Sequence, residues 1–172
     1  MAETPKYNGP SLALVGMPGS GKTTIAQLLA AVLGYSWIDT DALTEQQQGA
    51  SVREMFAVFG ERKFRNLEIE TWKRVSENPR TVFSTGGGLV LHREFWPIAP
   101  YTIWLDPSLD LLEERLKSDE SRPLLRVNLR DQLEQMYEAR KYEYGRADYR
   151  IAVYDHAPSA VVNKIQSHLW NL

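Results

Sequence analysis

The feature that most limits the folds open to this chain is a glycine-rich segment at residues 16–23, which lies between an apolar run and a helical pattern. The apolar run at 11–15 is typical of a buried parallel strand. Residues 22–33 carry apolar side chains at helical spacing, and Gly34 is typical of a helix end. A strand that turns directly into a helix predicts an α/β protein with a parallel sheet.

The same segment fits the pattern G-x-x-x-x-G-K-[ST] at every fixed position, with glycines at Gly16 and Gly21. Glycines allow successive N–H groups to face an anion, and the next helix directs its positive end at the same anion. Lys22 would then reach the β- and γ-phosphates, and the Thr23 hydroxyl would bind Mg²⁺. A plain strand-to-helix turn is the alternative, but the position between strand and helix favours nucleotide binding. The phosphoryl acceptor stays open, because such loops serve many kinases, switches and motors.

The rest of the chain continues the alternation of strands and helices. Strands are predicted at 35–39, 81–84, 101–105 and 149–153, and helical patterns at 42–78, 109–116, 129–144 and from Pro158 onward. Within 42–78 the pattern breaks near Gly49 and Gly60, and Ser51 with Glu54 forms a predicted capping box. The polar, basic stretch 117–128 is predicted to be a mobile loop. The fold class is therefore α/β, with three α/β/α layers around a central five-stranded parallel sheet.

Length and composition place the chain among ordinary globular domains. Its 172 residues suit one domain, 1–172, and the formal net charge of −2 gives no indication of a nucleic acid or a membrane as partner. The absence of cysteine excludes disulfides and thiolate metal sites, and no apolar run is long enough to span a bilayer. We therefore expect a cytoplasmic, monomeric enzyme.

Two aspartates, Asp39 and Asp41, follow the second predicted strand. Residues two apart in extended backbone point the same way, so both carboxylates can face one site. One could hold Mg²⁺ through water, and the other could accept a proton from an acceptor hydroxyl. The alternative is a strand-end turn in which Asp41 caps the next helix.

Three later segments carry further candidate chemistry. Arg65 suits a carboxylate ligand because its planar guanidinium makes two parallel hydrogen bonds, although a surface salt bridge with Glu68 is the alternative. The triple glycine at 86–88 allows close approach of a ligand, or is only a strand-end turn. Arg122 could stabilise a transferring phosphoryl group from the mobile loop, or be a solvated charge.

Taken in order along the chain, these segments resemble the shikimate kinase family, of the nucleoside-monophosphate-kinase-like group of P-loop folds. The resemblance spans about residues 12–158 and rests on the phosphate loop, Asp39-Thr40-Asp41, Glu61-Arg62-Lys63-Phe64-Arg65 with Glu68, Gly86-Gly87-Gly88, Arg122-Pro123-Leu124-Leu125 and Arg140. It implies a P-loop kinase fold with a lid at about 117–128. It also implies transfer of the γ-phosphate of ATP to the 3-hydroxyl of shikimate with Mg²⁺, giving ADP and shikimate 3-phosphate for aromatic amino acid biosynthesis.

The resemblance also implies a role for each matching residue. On the acceptor side, Asp41 would bind the hydroxyls and accept the proton, Arg65 and Arg140 would hold the carboxylate, and the backbone of Gly86, Gly87 and Gly88 would approach the substrate. On the nucleotide side, Lys22 and Arg122 would be catalytic, and Thr23 and Asp39 would hold Mg²⁺. Binding of ATP would use Gly16, Gly19, Ser20, Gly21, Lys22, Thr23, Thr24, Arg115, Arg122 and Pro158.

Two other functions fit parts of the pattern. Gluconate kinase shares the fold, the phosphate loop and a similar aspartate pair, but Phe64-Arg65 and the triple glycine favour shikimate. A nucleotide-binding module without turnover is disfavoured because Lys22, Asp41 and Arg122 are all retained. The sequence departs from the family pattern at Tyr142, which stands where the family commonly has proline.

Overall fold

The structure is a computed structural model that describes residues 7–117, 128–154 and 157–171. The predicted loop at 117–128 lies outside these ranges except for its first and last residues, and so does Arg122. The predicted roles of that loop and of Arg122 therefore stay predictions.

The described residues form one five-stranded sheet in which every neighbouring pair of strands is parallel. The strands are β1 (Leu12–Val15), β2 (Ser36–Asp39), β3 (Thr81–Ser84), β4 (Tyr101–Pro107) and β5 (Tyr149–Val153), in the spatial order β2-β3-β1-β4-β5. The glycine-rich segment thus leaves the central strand, with β3 on one side and β4 on the other.

Helices connect these strands, as the sequence pattern predicts. They are α1 (Lys22–Leu33), α2 (Thr40–Gln48), α3 (Val52–Val75), α4 (Leu109–Lys117), α5 (Leu129–Tyr144) and α6 (Pro158–Leu169), with short 3₁₀ turns at Leu89–Leu91 and Trp96–Ile98. Within the described ranges, no helix is both long enough and apolar enough to cross a membrane.

The alternation of side chains along β1 divides the core into two halves. Leu12 and Leu14 pack with the apolar faces of α1 and α6, whereas Ala13 and Val15 pack with α3, α4 and α5. All four side chains are fully buried, as expected for a central parallel strand covered on both faces. The three-layer α/β/α fold predicted from the sequence is confirmed.

One local detail differs from the sequence interpretation. The helix after β2 begins directly at Thr40, rather than after an extended Asp-Thr-Asp segment. The predicted breaks are confirmed: Gly49 ends α2, and Gly60 inside α3 has a non-helical backbone (φ 76°, ψ 166°), so this element is two helical segments joined at a kink. The predicted capping box of Ser51 and Glu54 is present at the start of α3.

Candidate active site

The phosphate loop at residues 16–23 is shaped by glycines that no other residue could replace without strain. Gly16 has φ of 149°, and a Cβ there would lie 2.5 Å from the backbone oxygen of Leu105. Gly19 has φ of 79°, and its Cβ would press against Leu116 on α4. The loop is therefore seated directly on the end of β4 and on α4, as a tight backbone cradle for an anion requires.

Lys22 is folded back over this loop and is largely buried. Its Nζ donates to the backbone oxygens of Gly16 and Met17, each at 2.9 Å, and lies 3.4 Å from Oγ of Ser20. These oxygens hold the ammonium group at the phosphate cradle. A bound phosphate could replace them as the partner of the same charge.

A pocket of about 210 Å³ adjoins the loop. It brings together residues that are far apart in sequence and that were each predicted to bind the nucleotide. Its lining includes Gly19, Gly21, Thr24, Arg115 and Pro158. The Arg115 guanidinium also donates to the backbone oxygen of Gly19 at 3.3 Å. The start of α6 and the last turn of α4 thus form two walls of a pocket beside the phosphate loop.

Thr23 and Asp39 provide a pair of oxygen donors next to the loop. The Thr23 hydroxyl donates to Oδ2 of Asp39 at 2.6 Å and lies 3.1 Å from Oγ of Ser84 at the end of β3. Within the described ranges, no group of three or more histidines, aspartates and glutamates could hold a metal ion alone. Hard oxygen ligands in this number fit Mg²⁺, which is commonly bound by one or two protein ligands together with substrate phosphates and water.

The other carboxylate oxygen of Asp39 caps α2. Its Oδ1 accepts from the backbone N–H groups of Asp41 and Ala42, at 3.0 and 3.1 Å. The alternative role predicted for Asp41, as the cap of this helix, is wrong because Asp39 occupies that position. Asp41 instead lies in the first helical turn. It reaches the site from a helix, and not from the extended backbone assumed in the sequence analysis.

Asp41 and Glu68 both approach the first glycine of the triple. A Cβ on Gly86 would lie 2.5 Å from Oδ1 of Asp41 and would collide with Oε1 of Glu68. The Gly86 N–H donates to the Thr40 hydroxyl at 3.0 Å, which fixes this backbone against α2. Because Gly86 has no side chain, the Asp41 and Glu68 carboxylates can both lie against its backbone.

Arg65 approaches the third glycine. Its guanidinium occupies the place that a Cβ on Gly88 would take, and its Nη1 donates to Oε2 of Glu68 at 2.9 Å. The Glu68 side chain is only 2% exposed and that of Arg65 is 21% exposed, so the ion pair is largely buried rather than the surface salt bridge considered above. The rings of Phe56 and Phe64 lie beside the same guanidinium.

The second glycine receives two donors from α5. Nη1 of Arg140 donates to the Gly87 carbonyl oxygen at 3.1 Å, and the Tyr144 hydroxyl donates to it at 2.7 Å. Burial raises the pKa of Tyr144 above its ordinary value of 10.0, so its hydroxyl stays a neutral donor. A Cβ on Gly87 would lie 3.2 Å from Cδ of Pro18 in the phosphate loop. The triple glycine is thus where the phosphate loop meets Arg65 and Arg140.

Tyr142, which replaces the proline common in the family, does not interrupt α5. Tyr142 is 78% exposed, and α5 continues unbroken through it to Tyr144. The helix end is instead held by Trp96, whose indole N–H donates to Glu143, and by Arg146, which stacks on the Trp96 ring. Trp96 therefore supports the end of the helix that carries Arg140.

Two further residues contact the predicted site without being among its predicted residues. Ser84, at the end of a predicted strand, contacts Thr23 through its hydroxyl. Tyr144, at the end of a predicted helix, donates to Gly87. Their positions carried a usable signal, since Ser84 directly precedes the glycine segment on a parallel strand, and Tyr144 follows Arg140 by one helical turn.

The sheet order and the phosphate loop after its central strand define the class of P-loop kinases. The family model described as shikimate kinase matches residues 18–170, and this chain belongs to the shikimate kinase family. The resemblance stated from the motifs is confirmed. A shikimate kinase of Synechococcus elongatus is 44% identical over 149 residues, which cover 85% of this chain and 78% of the relative.

Solved structures agree with this assignment. Shikimate kinase from Acinetobacter baumannii, in complex with shikimate, superposes with a TM-score of 0.89 at 30% identity, over 96% of this chain and 95% of that one. A gluconokinase from Sinorhizobium meliloti superposes with a TM-score of 0.61 at 18% identity, over 97% of this chain and 94% of that one. The second likeness concerns the fold alone.

Proposed function

We propose that this protein transfers the γ-phosphate of ATP to the 3-hydroxyl of shikimate, giving ADP and shikimate 3-phosphate. The observation that carries the proposal is the convergence at the triple glycine. There Asp41, Arg65 and Arg140 surround backbone that touches the phosphate loop through Pro18. A carboxylate-recognising cluster next to a phosphate cradle fits an acceptor that carries both a carboxylate and hydroxyl groups.

Two arginines supply the proposed carboxylate site. Arg65 on α3 and Arg140 on α5 approach the glycine segment from different elements, and each touches a different glycine. Two guanidinium groups suit a carboxylate because each offers donors in a fixed planar arrangement. The acceptor would thereby be oriented before the phosphoryl group arrives, which removes part of the entropy cost of reaction.

Asp41 is the proposed proton acceptor. Its carboxylate lies beside Gly86 and is partly exposed, whereas the neighbouring Glu68 carboxylate is buried and paired with Arg65. A partly exposed carboxylate at the acceptor site can orient a hydroxyl and take its proton as phosphoryl transfer proceeds.

The nucleotide side would stabilise the transferring group. Lys22 would exchange its loop oxygens for the β- and γ-phosphates, and Arg115 with Pro158 would line the adenine pocket. Thr23 and Asp39 would hold Mg²⁺, which supplies charge neutralisation for the phosphates when it is bound. Closure of a lid at 117–128, with Arg122 reaching the γ-phosphate, remains part of the proposal.

The test is ADP release from MgATP with shikimate, with gluconate and with no acceptor. We expect turnover that depends on shikimate, and phosphorus NMR of the product should show a phosphomonoester at the 3-position. Faster turnover with gluconate than with shikimate would show that gluconate, and not shikimate, is the preferred acceptor. ATP binding without turnover on either compound would favour a non-catalytic nucleotide-binding module.

A further inference from the structure

His92 is a buried polar group that the proposed reaction does not use. Its Nε2 is inaccessible to solvent and has no hydrogen-bond partner among the described residues, yet it lies 3.4 Å from Oε2 of Glu68. That distance is within reach of a charge interaction but beyond good hydrogen-bond geometry. A small rotation of either side chain would make the bond, and an unpaired buried nitrogen carries a cost that favours it.

The backbone holds His92 firmly in this place. Its N–H donates to the backbone oxygen of Leu89 at 3.1 Å, and its own backbone oxygen accepts from Phe95 at 3.1 Å. Leu89 and Phe95 are both fully buried. The imidazole is therefore presented from a rigid turn that begins at the triple glycine.

Glu68 is the group that this turn encloses. One of its oxygens, Oε1, lies against Gly86, and the other, Oε2, accepts from Arg65 and faces His92. A carboxylate that is 2% exposed requires donors on its oxygens to offset the loss of water. Arg65 is one such donor, and His92 is placed to be the second.

Glu94 is a second carboxylate near His92, and it is already paired with a lysine. Glu94, two residues away, binds Lys73 at 3.4 Å, and the pKa of Glu94 is lowered, first by a backbone hydrogen bond and then by Lys73. Glu68 is consequently the carboxylate toward which the His92 Nε2 is directed.

We infer that His92 is a positioning residue for the acceptor carboxylate, acting through Glu68 on Arg65. An N–H of His92 fixes the Glu68 carboxylate, and the fixed carboxylate holds the Arg65 guanidinium in one orientation beside Gly88. The inference rests on the proposed function for its substrate, but its structural part concerns only the order of the Arg65 side chain.

The first test compares His92→Leu, which removes the donor, with His92→Gln, whose amide N–H₂ can reach the same place. We expect KM for shikimate to rise by about three- to tenfold in His92→Leu, the scale of one hydrogen bond in a buried network. We expect KM for ATP and kcat to change little, and His92→Gln to recover most of the loss. The control is His168→Leu, a part-buried histidine that bonds Tyr101 on β4, away from the triple glycine.

A second measurement requires no acceptor. The side-chain ¹⁵N–H signals of Arg65, assigned by their loss in Arg65→Lys, report directly on the order of the guanidinium. We expect them to broaden in His92→Leu and to persist in His92→Gln and His168→Leu. Unchanged Arg65 signals in folded His92→Leu would overturn the inference. A wild-type protein inactive on shikimate would instead overturn the proposed function and leave this measurement valid.

Discussion

The nucleotide side and the acceptor side of this site are built in different ways. The lysine of the phosphate loop is held by near neighbours in sequence, since Lys22 bonds residues only six, five and two positions away. The backbone of the triple glycine is instead held by hydrogen bonds to residues 46 to 57 positions away, such as Thr40 for Gly86 and Tyr144 for Gly87. A site formed by consecutive residues can be recognised as a sequence motif. A site formed by distant residues cannot, because the sequence alone does not show that those residues are in contact.

The difference also changes what the glycines do. Glycines of the phosphate loop are needed for left-handed backbone and for close backbone packing. Gly16 has both a positive φ and a backbone neighbour, Leu105, too close for a Cβ. The triple glycine has no left-handed residue, and its glycines make room for Asp41, Glu68, Arg65 and Arg140. Substitutions of the phosphate-loop glycines should therefore impair ATP binding, and substitutions of the triple glycine should impair acceptor binding.

The largest effect should come from Lys22→Met on the nucleotide side. We expect turnover to fall by roughly 10³–10⁵-fold, the range found for a cation that stabilises a transferring phosphoryl group. The protein should stay folded, and shikimate binding without nucleotide, measured by calorimetry, should be retained. Lys164→Met, at an exposed position on α6, is the matched control. Near-normal turnover in Lys22→Met would contradict the proposed role of Lys22 in phosphoryl transfer and with it the kinase mechanism.

Asp41→Asn should affect chemistry without affecting the fold. We expect kcat to fall by about 10²–10⁴-fold, the usual effect of losing a positioned proton acceptor, with ATP binding nearly unchanged. Because Asp39 caps α2, Asp41→Asn should leave the free energy of unfolding almost unaltered, whereas Asp39→Ala should lower it by about 0.5–2 kcal/mol. Urea unfolding of both variants separates the two roles, and a stable, fully active Asp41→Asn would contradict the assignment.

Arg65→Lys tests the carboxylate site. The change keeps the charge but loses the planar pair of donors, so we expect kcat/KM for shikimate to weaken by about 1.5–3 kcal/mol, with KM for ATP unchanged. An analogue with an amide in place of the carboxylate should be poor for the wild type and should lose little more in the variant. Arg62→Lys, an exposed neighbour on α3, is the control. Fully additive losses would show that Arg65 does not touch the carboxylate.

Gly88→Ala should have the smallest effect and should be confined to the acceptor side. The new methyl group would displace the Arg65 guanidinium from beside Gly88, and because this group is the end of a long side chain it can turn away without moving the backbone. We therefore expect a three- to tenfold rise in KM for shikimate, about one weakened hydrogen bond, and little change in stability or in KM for ATP. Gly145→Ala, at the end of α5, is the control. A rise in KM for ATP instead would mean that the two sides are not separable at this glycine.

Much of the fold could be predicted from the sequence because its determinants are local. The apolar runs fix buried strands, the capping box starts α3, and Gly34 ends α1, each through contacts within a few residues. The phosphate loop follows the same rule, since the glycine pattern and the lysine lie within eight consecutive residues. The parallel sheet follows from these elements because parallel neighbouring strands need long crossover connections, and the helices between the strands supply them.

Tertiary structure decided how the acceptor side is assembled. The sequence named Arg65, Glu68 and Arg140, but it could not show that Glu68 is buried or that Arg140 shares an acceptor with Tyr144. The helix cap considered as the alternative role of Asp41 belongs to Asp39, because either spacing satisfies the pattern and only the turn after β2 selects Asp39. Burial and hydrogen bonding between distant segments depend on how the layers pack, and no local pattern encodes that packing.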